Sequence, residues 1–227
     1  MRETPEQERQ ASAALSRASR PGEEPYAAPG GRRITTLVDS TFAIVMTLLV
    51  LSVEVPKGSP EGLEEQLWVN LKELWPLIAT YIASFLALGI YWMGHHTQFH
   101  FIEGVNRNLL GLNLLFLLCV SMVPFTTHLL GDYYTEPVAL KLYGTNLMMI
   151  SIVLLLHWRY AARRGLLTKE TDRAAVRHGT RRLLVGPALY ALAIGLTYVD
   201  PRVSLGILLT VPLLHLLPGP IHLHWTR

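Results

Sequence analysis

The stretch RITTLVDSTFAIVMTLLVLSVEVP, residues 33–56, is long and apolar enough to form a helix that crosses a bilayer. Between Phe42 and Val53 only one threonine and one serine interrupt the apolar residues. Asp39 lies about two helical turns inside this stretch, where a charge is unfavourable and therefore marks a candidate functional residue. We predict a first transmembrane helix over 34–55 that does more than anchor the chain.

One side of this helix carries a continuous stripe. At about 100° per residue, the residues of the stripe fall within about 80° of one another, and Asp39 points to nearly the opposite side. The stripe consists of Leu37, Thr41, Ile44, Leu48, Leu51 and Val55. Such a stripe is expected either to pack against other helices or, when symmetry repeats it about an axis, to line a pore that apolar rings close by dewetting.

The whole chain has the composition of a membrane protein. Of its 227 residues, 50% are hydrophobic and only 16% are charged. We therefore predict an all-α, polytopic membrane protein with six transmembrane helices per subunit. The six apolar segments cover about 34–55, 74–94, 108–128, 137–157, 183–199 and 203–221.

Lysine and arginine residues set the expected orientation of these helices. Two arginines precede the first segment and eight basic residues lie within 158–182, whereas the connections on the other side carry few. Both termini are therefore expected in the cytoplasm, with a disordered tail over 1–30, a transmembrane domain over 31–221 and a short tail over 222–227. The 158–182 segment is interpreted either as ordinary positive-inside loading or as a surface for anionic lipid.

Two shorter features are expected in addition. Residues 57–70 have the spacing of a short amphipathic helix on the membrane surface. Pro124 is expected to kink the far end of the third segment.

The motifs of soluble enzymes are absent from the sequence. It contains no GxxxxGK[ST], GxGxxG, HExxH, GxSxG or CxxC. His96 and His100 have the i, i+4 spacing of a metal pair, but no cysteine or carboxylate cluster completes a ligand set near them. We therefore expect no enzyme activity, no metal site and no nucleic-acid partner.

A polar network is expected where the first three helices meet the cytoplasm. Asp39 needs a partner inside the protein because the bilayer offers none. Its expected partners come from the end of the second segment and the start of the third. The network consists of Arg33, Asp39, Trp92, His95, His96, Asn106 and Asn113. It acts either as a structural clamp between helices or as part of a gate.

These residues resemble a known family. RITTLVDSTFAI, residues 33–44, resembles the RxxxFSDxxFA signature of the prokaryotic relatives of the lysosomal potassium channel called transmembrane protein 175, with Leu37-Val38 in place of Phe-Ser. The resemblance continues through WMGHH at 92–96, two asparagines, VPF at 123–125 and LLG at 129–131.

The resemblance implies a homotetramer in the prokaryotic plasma membrane, with four copies of the first helix lining a pore for potassium and no cofactor. Its constriction rings fall on Ile44, Leu48 and Leu51, with Thr47 beside them. Because potassium holds its hydration shell more weakly than sodium, a narrow apolar passage is expected to favour it modestly.

Two other interpretations remain open from the sequence. A proton- or ion-coupled secondary transporter would use Asp39 and a histidine as a proton relay. A non-conducting membrane scaffold would use the stripe only as a packing surface.

Overall fold

A computed structural model of the chain describes residues 29–53, 68–69 and 71–216. The named elements in this part are all helical, as predicted. In chain order they are α1 (Pro29–Leu48), a 3-10 helix (Leu49–Ser52), α2 (Trp75–Phe101), α3 (Arg107–Ser121), α4 (Val123–Asp132), α5 (Pro137–Arg163), α6 (Arg173–Leu196) and α7 (Pro201–Leu216).

Four helical stretches within the described residues are long and apolar enough to cross a membrane. They are Gly31–Leu51, Trp75–Phe101, Arg107–Asp132 and Pro137–Arg163. Each corresponds to one of the first four predicted segments. Residues 1–28, 54–67 and 217–227 lie outside the described part. The two expected tails, the expected surface helix and the end of the sixth segment fall almost wholly on these residues.

Several helices are longer than the apolar segments that predicted them. α1 begins at Pro29 rather than at 34, α2 ends at Phe101 rather than at 94, and α5 ends at Arg163 rather than at 157. Hydropathy marks where a helix leaves the hydrocarbon, but the backbone hydrogen bonds continue past that point. The predicted boundaries therefore describe the bilayer and not the ends of the helices.

The basic 158–182 segment is mostly helix, not the connection that we expected. Only residues 164–172 connect α5 to α6. α6 starts early because Asp172 caps it, with Asp172 Oδ1 accepting from the Ala175 amide at 2.6 Å. The first turns of α6 are tied to α5 by Trp158, whose Nε1 donates to the Val176 carbonyl at 3.1 Å.

The third segment is interrupted as predicted. α3 ends at Ser121 and α4 begins at Val123, with Pro124 in its first turn. Proline lacks an amide proton and its ring collides with the carbonyl four residues earlier, so the helix cannot continue straight through it.

α5 is the most covered of the four membrane-length helices and α1 the least covered. α5 contacts α2, α3, α4, α6 and α7, while α1 lies against α2 and α3, and the 3-10 helix lies against α4. α6 and α7 form a hairpin that packs on α5 and α2. The first helix is therefore peripheral in the subunit.

At one end of the bundle, two connections between helices are joined by backbone hydrogen bonds. Thr168 N donates to the Phe101 carbonyl at 2.9 Å, and Glu103 N donates to the Leu166 carbonyl at 3.0 Å. Gly165, with φ of 65°, ends α5 in the left-handed conformation that lets the Leu166 amide bond back to Ala161. We call this end, where the 102–106 and 164–172 connections meet, the basic end.

Candidate functional site

α1 presents two different apolar faces. One face is buried against the rest of the subunit. It consists of Ile34, Val38, Phe42, Val45 and Leu49. Phe42 packs on Phe116 of α3, with ring centroids 5.9 Å apart. This face fixes α1 to the bundle.

The predicted stripe lies on the other face, and the subunit leaves it uncovered. Ile44 is 59% exposed, Leu48 44% and Leu51 72%, and Leu37 is exposed as well. Thr41 is half-buried, and Val55 lies outside the described residues. These leucines and isoleucine are therefore not a packing surface within one subunit. Thr47 is exposed beside them, and its hydroxyl donates to the Ala43 and Ile44 carbonyls at 3.0 and 2.8 Å.

Asp39 meets one of its expected partners. Trp92 Nε1 of α2 donates to Asp39 Oδ1 at 2.8 Å. The Trp92 ring in turn lies 5.7 Å from the His96 ring, centroid to centroid. Both Asp39 and Trp92 are exposed on the subunit, so this pair lies at its surface and not in its core.

His95 and Asn113 bond to each other instead of to Asp39. His95 Nε2 lies 2.9 Å from Asn113 Oδ1, and both side chains are buried. The His95 ring stacks between Phe99 and Phe116, with centroids 4.5 and 5.2 Å away. The ring nitrogen that faces the amide oxygen must carry the proton in this arrangement.

The remaining two residues of the expected network lie elsewhere. Asn106 caps α3, with its Oδ1 accepting from the Leu109 amide at 2.9 Å, and its Nδ2 donates to the Tyr160 hydroxyl at 3.1 Å. Arg33 is exposed and forms no ion pair with Asp39 in the described part of the chain. The predicted network is thus three separate groups at one end of the bundle.

Two buried polar residues beside His95 were not identified from the sequence. Gln98 Nε2 donates to the Leu154 carbonyl at 2.9 Å, and the His157 ring lies 5.8 Å from that of His95. Neither nitrogen of His157 nor Oε1 of Gln98 has a hydrogen-bond partner among the described residues. Their signal in the sequence was a polar residue within an apolar helix, which is unusual enough to single out.

A second buried polar group, by contrast, is well paired. The Ser84 and Tyr143 hydroxyls are 2.9 Å apart, Thr127 donates to Ser84 at 2.8 Å, and the Tyr91 hydroxyl lies 2.8 Å from Ser151. These bonds join α2, α4 and α5 across the bundle. They satisfy hydroxyls that lipid could not satisfy.

Known proteins resemble this chain in sequence and in fold. Residues 33–124 match the sequence profile of the family described as Endosomal/lysosomal potassium channel TMEM175. A protein of Streptomyces collinus named a potassium channel is 35% identical over 178 residues, which cover 76% of this chain and 85% of the relative. A protein of Chamaesiphon minutus, also named a potassium channel, is 33% identical over 182 residues, covering 77% of this chain and 88% of that relative.

The fold agrees with a solved structure. The crystal structure of a lysosomal potassium-selective channel TMEM175 homolog from Chamaesiphon minutus matches with a TM-score of 0.74 at 29% identity, covering 88% of this chain and all of that one. The prediction from the sequence motifs at 33–44 and 92–96 is thereby confirmed. This chain belongs to the TMEM175 family, whose members are ion channels and not enzymes.

Proposed function

We propose that this chain is the subunit of a passive potassium channel in which α1 lines the ion pathway. The observation that carries the proposal is the uncovered stripe of α1, in a chain whose relatives are named potassium channels. The proposal includes an integral, prokaryotic plasma-membrane location with both termini in the cytoplasm, and six transmembrane helices within 31–221.

The geometry of α1 supports assembly around an axis. One helix cannot enclose an ion path, but copies of it related by symmetry can. The buried face of α1 leaves the stripe free to face such an axis, because the two faces point in different directions from the helix. We propose four copies, as the family resemblance implies.

The apolar side chains of the stripe would close the pathway by excluding water. Rings of Ile44, Leu48 and Leu51 offer water no hydrogen bonds, so a narrow passage between them empties easily and resists ions. Thr47 would supply the polar oxygen nearest to these rings. A passage of this kind discriminates by the strength of hydration, so it would prefer potassium over sodium only modestly.

The Asp39–Trp92 pair would hold α1 to α2 beside the pathway without lining it. Its bond of 2.8 Å joins the pathway helix to the next helix at the surface of the subunit. We propose that it sets the tilt of α1 and so acts on assembly or gating. The buried His95–Asn113 pair would support α2 and α3 behind it.

The test is potassium efflux from liposomes that contain the purified protein, with sodium as the control ion. We expect efflux that favours potassium and that rises in the Leu48→Asn variant, because a polar ring weakens the dewetting barrier. Val50→Asn is the matched control, since Val50 is also exposed near the end of α1 but points away from the stripe. Equal effects of both variants would remove Leu48 from the pathway.

A coupled transporter is the second candidate. The observation that favours it is the buried His157, whose two nitrogens lack partners among the described residues and whose ring lies 5.8 Å from that of His95. Such histidines can relay protons. The same liposomes decide between the two candidates, because potassium movement driven by an imposed proton gradient in the absence of a potassium gradient would support the transporter and contradict the channel.

A further inference from the structure

A second candidate site lies at the basic end, and α1 contributes no residue to its lining. It is an open pocket of about 300 Å³ between the start of α3 and the end of α5. The residues that line it are Asn106, Arg107, Asn108, Tyr160 and Arg164. No carboxylate belongs to this lining, so the side chains that meet here offer cationic and neutral polar groups.

The two arginines of the pocket are available for a ligand. Within the described residues, neither Arg107 nor Arg164 forms an ion pair with a carboxylate. The Arg164 guanidinium lies over the Tyr160 ring, 5.8 Å from its centroid, which restrains its position. Both side chains are exposed, so a ligand can reach them from solvent or from the membrane surface.

Tyr160 and Asn106 form a fixed wall of the pocket. The Tyr160 hydroxyl lies 3.1 Å from Asn106 Nδ2 and 3.3 Å from Asn106 Oδ1. Since Asn106 Oδ1 already accepts from the Leu109 amide, the shorter bond has the Asn106 amide donating to Tyr160. The Tyr160 hydroxyl donates to Asn106 Oδ1 only over the longer distance of 3.3 Å, so an incoming acceptor can compete for its proton.

The connections of the basic end hold the two sides of the pocket at a constant distance. The 102–106 segment before α3 bonds to Leu166, directly after the end of α5. Gly104 packs so closely on Leu166 that a side chain there would come within 3.0 Å of Leu166 Cδ2. Arg107 and Arg164 therefore approach the pocket from two joined backbones.

We propose that this pocket binds a phosphate group. Two arginines, the Tyr160 side chain and Asn108 line one space, and guanidinium groups pair with phosphate oxygens through two parallel hydrogen bonds. The phosphate can come from the headgroup of an anionic lipid or from free phosphate. A lipid source fits the expected position of the basic 158–182 segment, at the cytoplasmic surface of the membrane.

The alternative is that these arginines only contribute to the positive charge of this end. Arg159, Arg163, Arg173 and Arg177 lie near these residues along the chain and are exposed, and a diffuse positive surface attracts anionic lipid without any pocket. Diffuse attraction depends on net charge alone. A built phosphate site depends in addition on which arginines are present and on the shape of the guanidinium group.

The test measures dissociation constants on the full-length protein in detergent by microscale thermophoresis. Separate titrations use short-chain phosphatidylglycerol, short-chain phosphatidylcholine and inorganic phosphate. We expect a phosphate-bearing anion to bind and phosphatidylcholine to bind more weakly. Phosphatidylglycerol binding without binding of millimolar phosphate assigns a lipid headgroup, whereas phosphate binding in the absence of lipid assigns the free ion.

The variants compare two arginine pairs of equal charge. In R107Q/R164Q we expect affinity to fall by roughly tenfold, and in R163Q/R177Q, which removes two exposed arginines outside the pocket, by less than about threefold. R107K/R164K keeps the charge and the fold, and we expect it to lose affinity because lysine cannot form the paired bonds. Equal losses in the two glutamine pairs, full affinity in the lysine variant, or no titration by either anion would overturn the proposal.

Discussion

The two faces of α1 are equally apolar but differ in what covers them. Phe42 and Val38 are buried against the bundle, whereas Ile44 of the same helix and Leu51 of the 3-10 helix that continues it are mostly exposed. In water such a difference would be costly, but a bilayer tolerates an uncovered apolar face. The uncovered face is therefore free for a second copy, for lipid or for an ion path, while the covered face carries the stability of the subunit.

Phe42→Ala should produce the largest effect on the fold. In a soluble core such a truncation costs roughly 3–5 kcal/mol. Here we expect about 2–3 kcal/mol, since lipid still shelters the unpacked side chain from water and the loss is mainly one of packing against Phe116. Thermal unfolding of the purified protein in detergent measures it.

Leu48→Ala is the control on the uncovered face. It removes a similar side chain from the same helix, and we expect the subunit's unfolding free energy to change by less than about 0.5 kcal/mol. If Leu48→Ala destabilised the subunit as much as Phe42→Ala, the distinction between the two faces would be wrong.

The angular separation of the stripe and Asp39 could be predicted from the sequence, but the covering of α1 could not. A helical wheel places Ile44 and Asp39 on different sides from spacing alone. It does not reveal which apolar side meets protein, because residues such as Val45 and Leu48 suit lipid and protein interiors equally well. Only the positions of α2, α3 and α4 decide that.

For the polar residues, too, the sequence predicted the approximate position in the membrane but not the contacts. The sequence indicated that Asp39, Trp92, His95 and Asn113 lie near one level of the membrane, and the structure places them near one end of the bundle. Which atoms pair depends on helix rotations of a few tens of degrees, which hydropathy does not contain. Asn106 was missed as a helix cap, although an asparagine before an apolar helix is a recognisable cap signal.

Ile44→Asn should have an intermediate effect, on conduction and not on the fold. A polar ring in the proposed constriction would lower the dewetting barrier, and a decrease of about 1.4 kcal/mol corresponds to roughly tenfold faster flux. We also expect the preference for potassium over sodium to decrease. Liposome flux of both ions measures this, with Val50→Asn as the control on the other side of α1. Unchanged flux and selectivity would place Ile44 outside the pathway.

Trp92→Phe should have the smallest effect. It tests whether the hydrogen bond between Asp39 and Trp92 helps the buried face to hold α1 on α2. It removes the indole N–H that bonds Asp39 and keeps an aromatic ring near His96, so we expect a loss of roughly 0.5–1 kcal/mol, low in the range for a hydrogen bond because both residues are exposed. Trp75→Phe is the matched control, since Trp75 lies at the other end of α2 and forms no hydrogen bond through its side chain in the described part of the chain.

In a double-mutant cycle with Asp39→Asn, the two changes should be less than additive, because either one weakens the same bond. Additive losses would mean that the bond contributes nothing, and that the buried face of α1 alone sets its position.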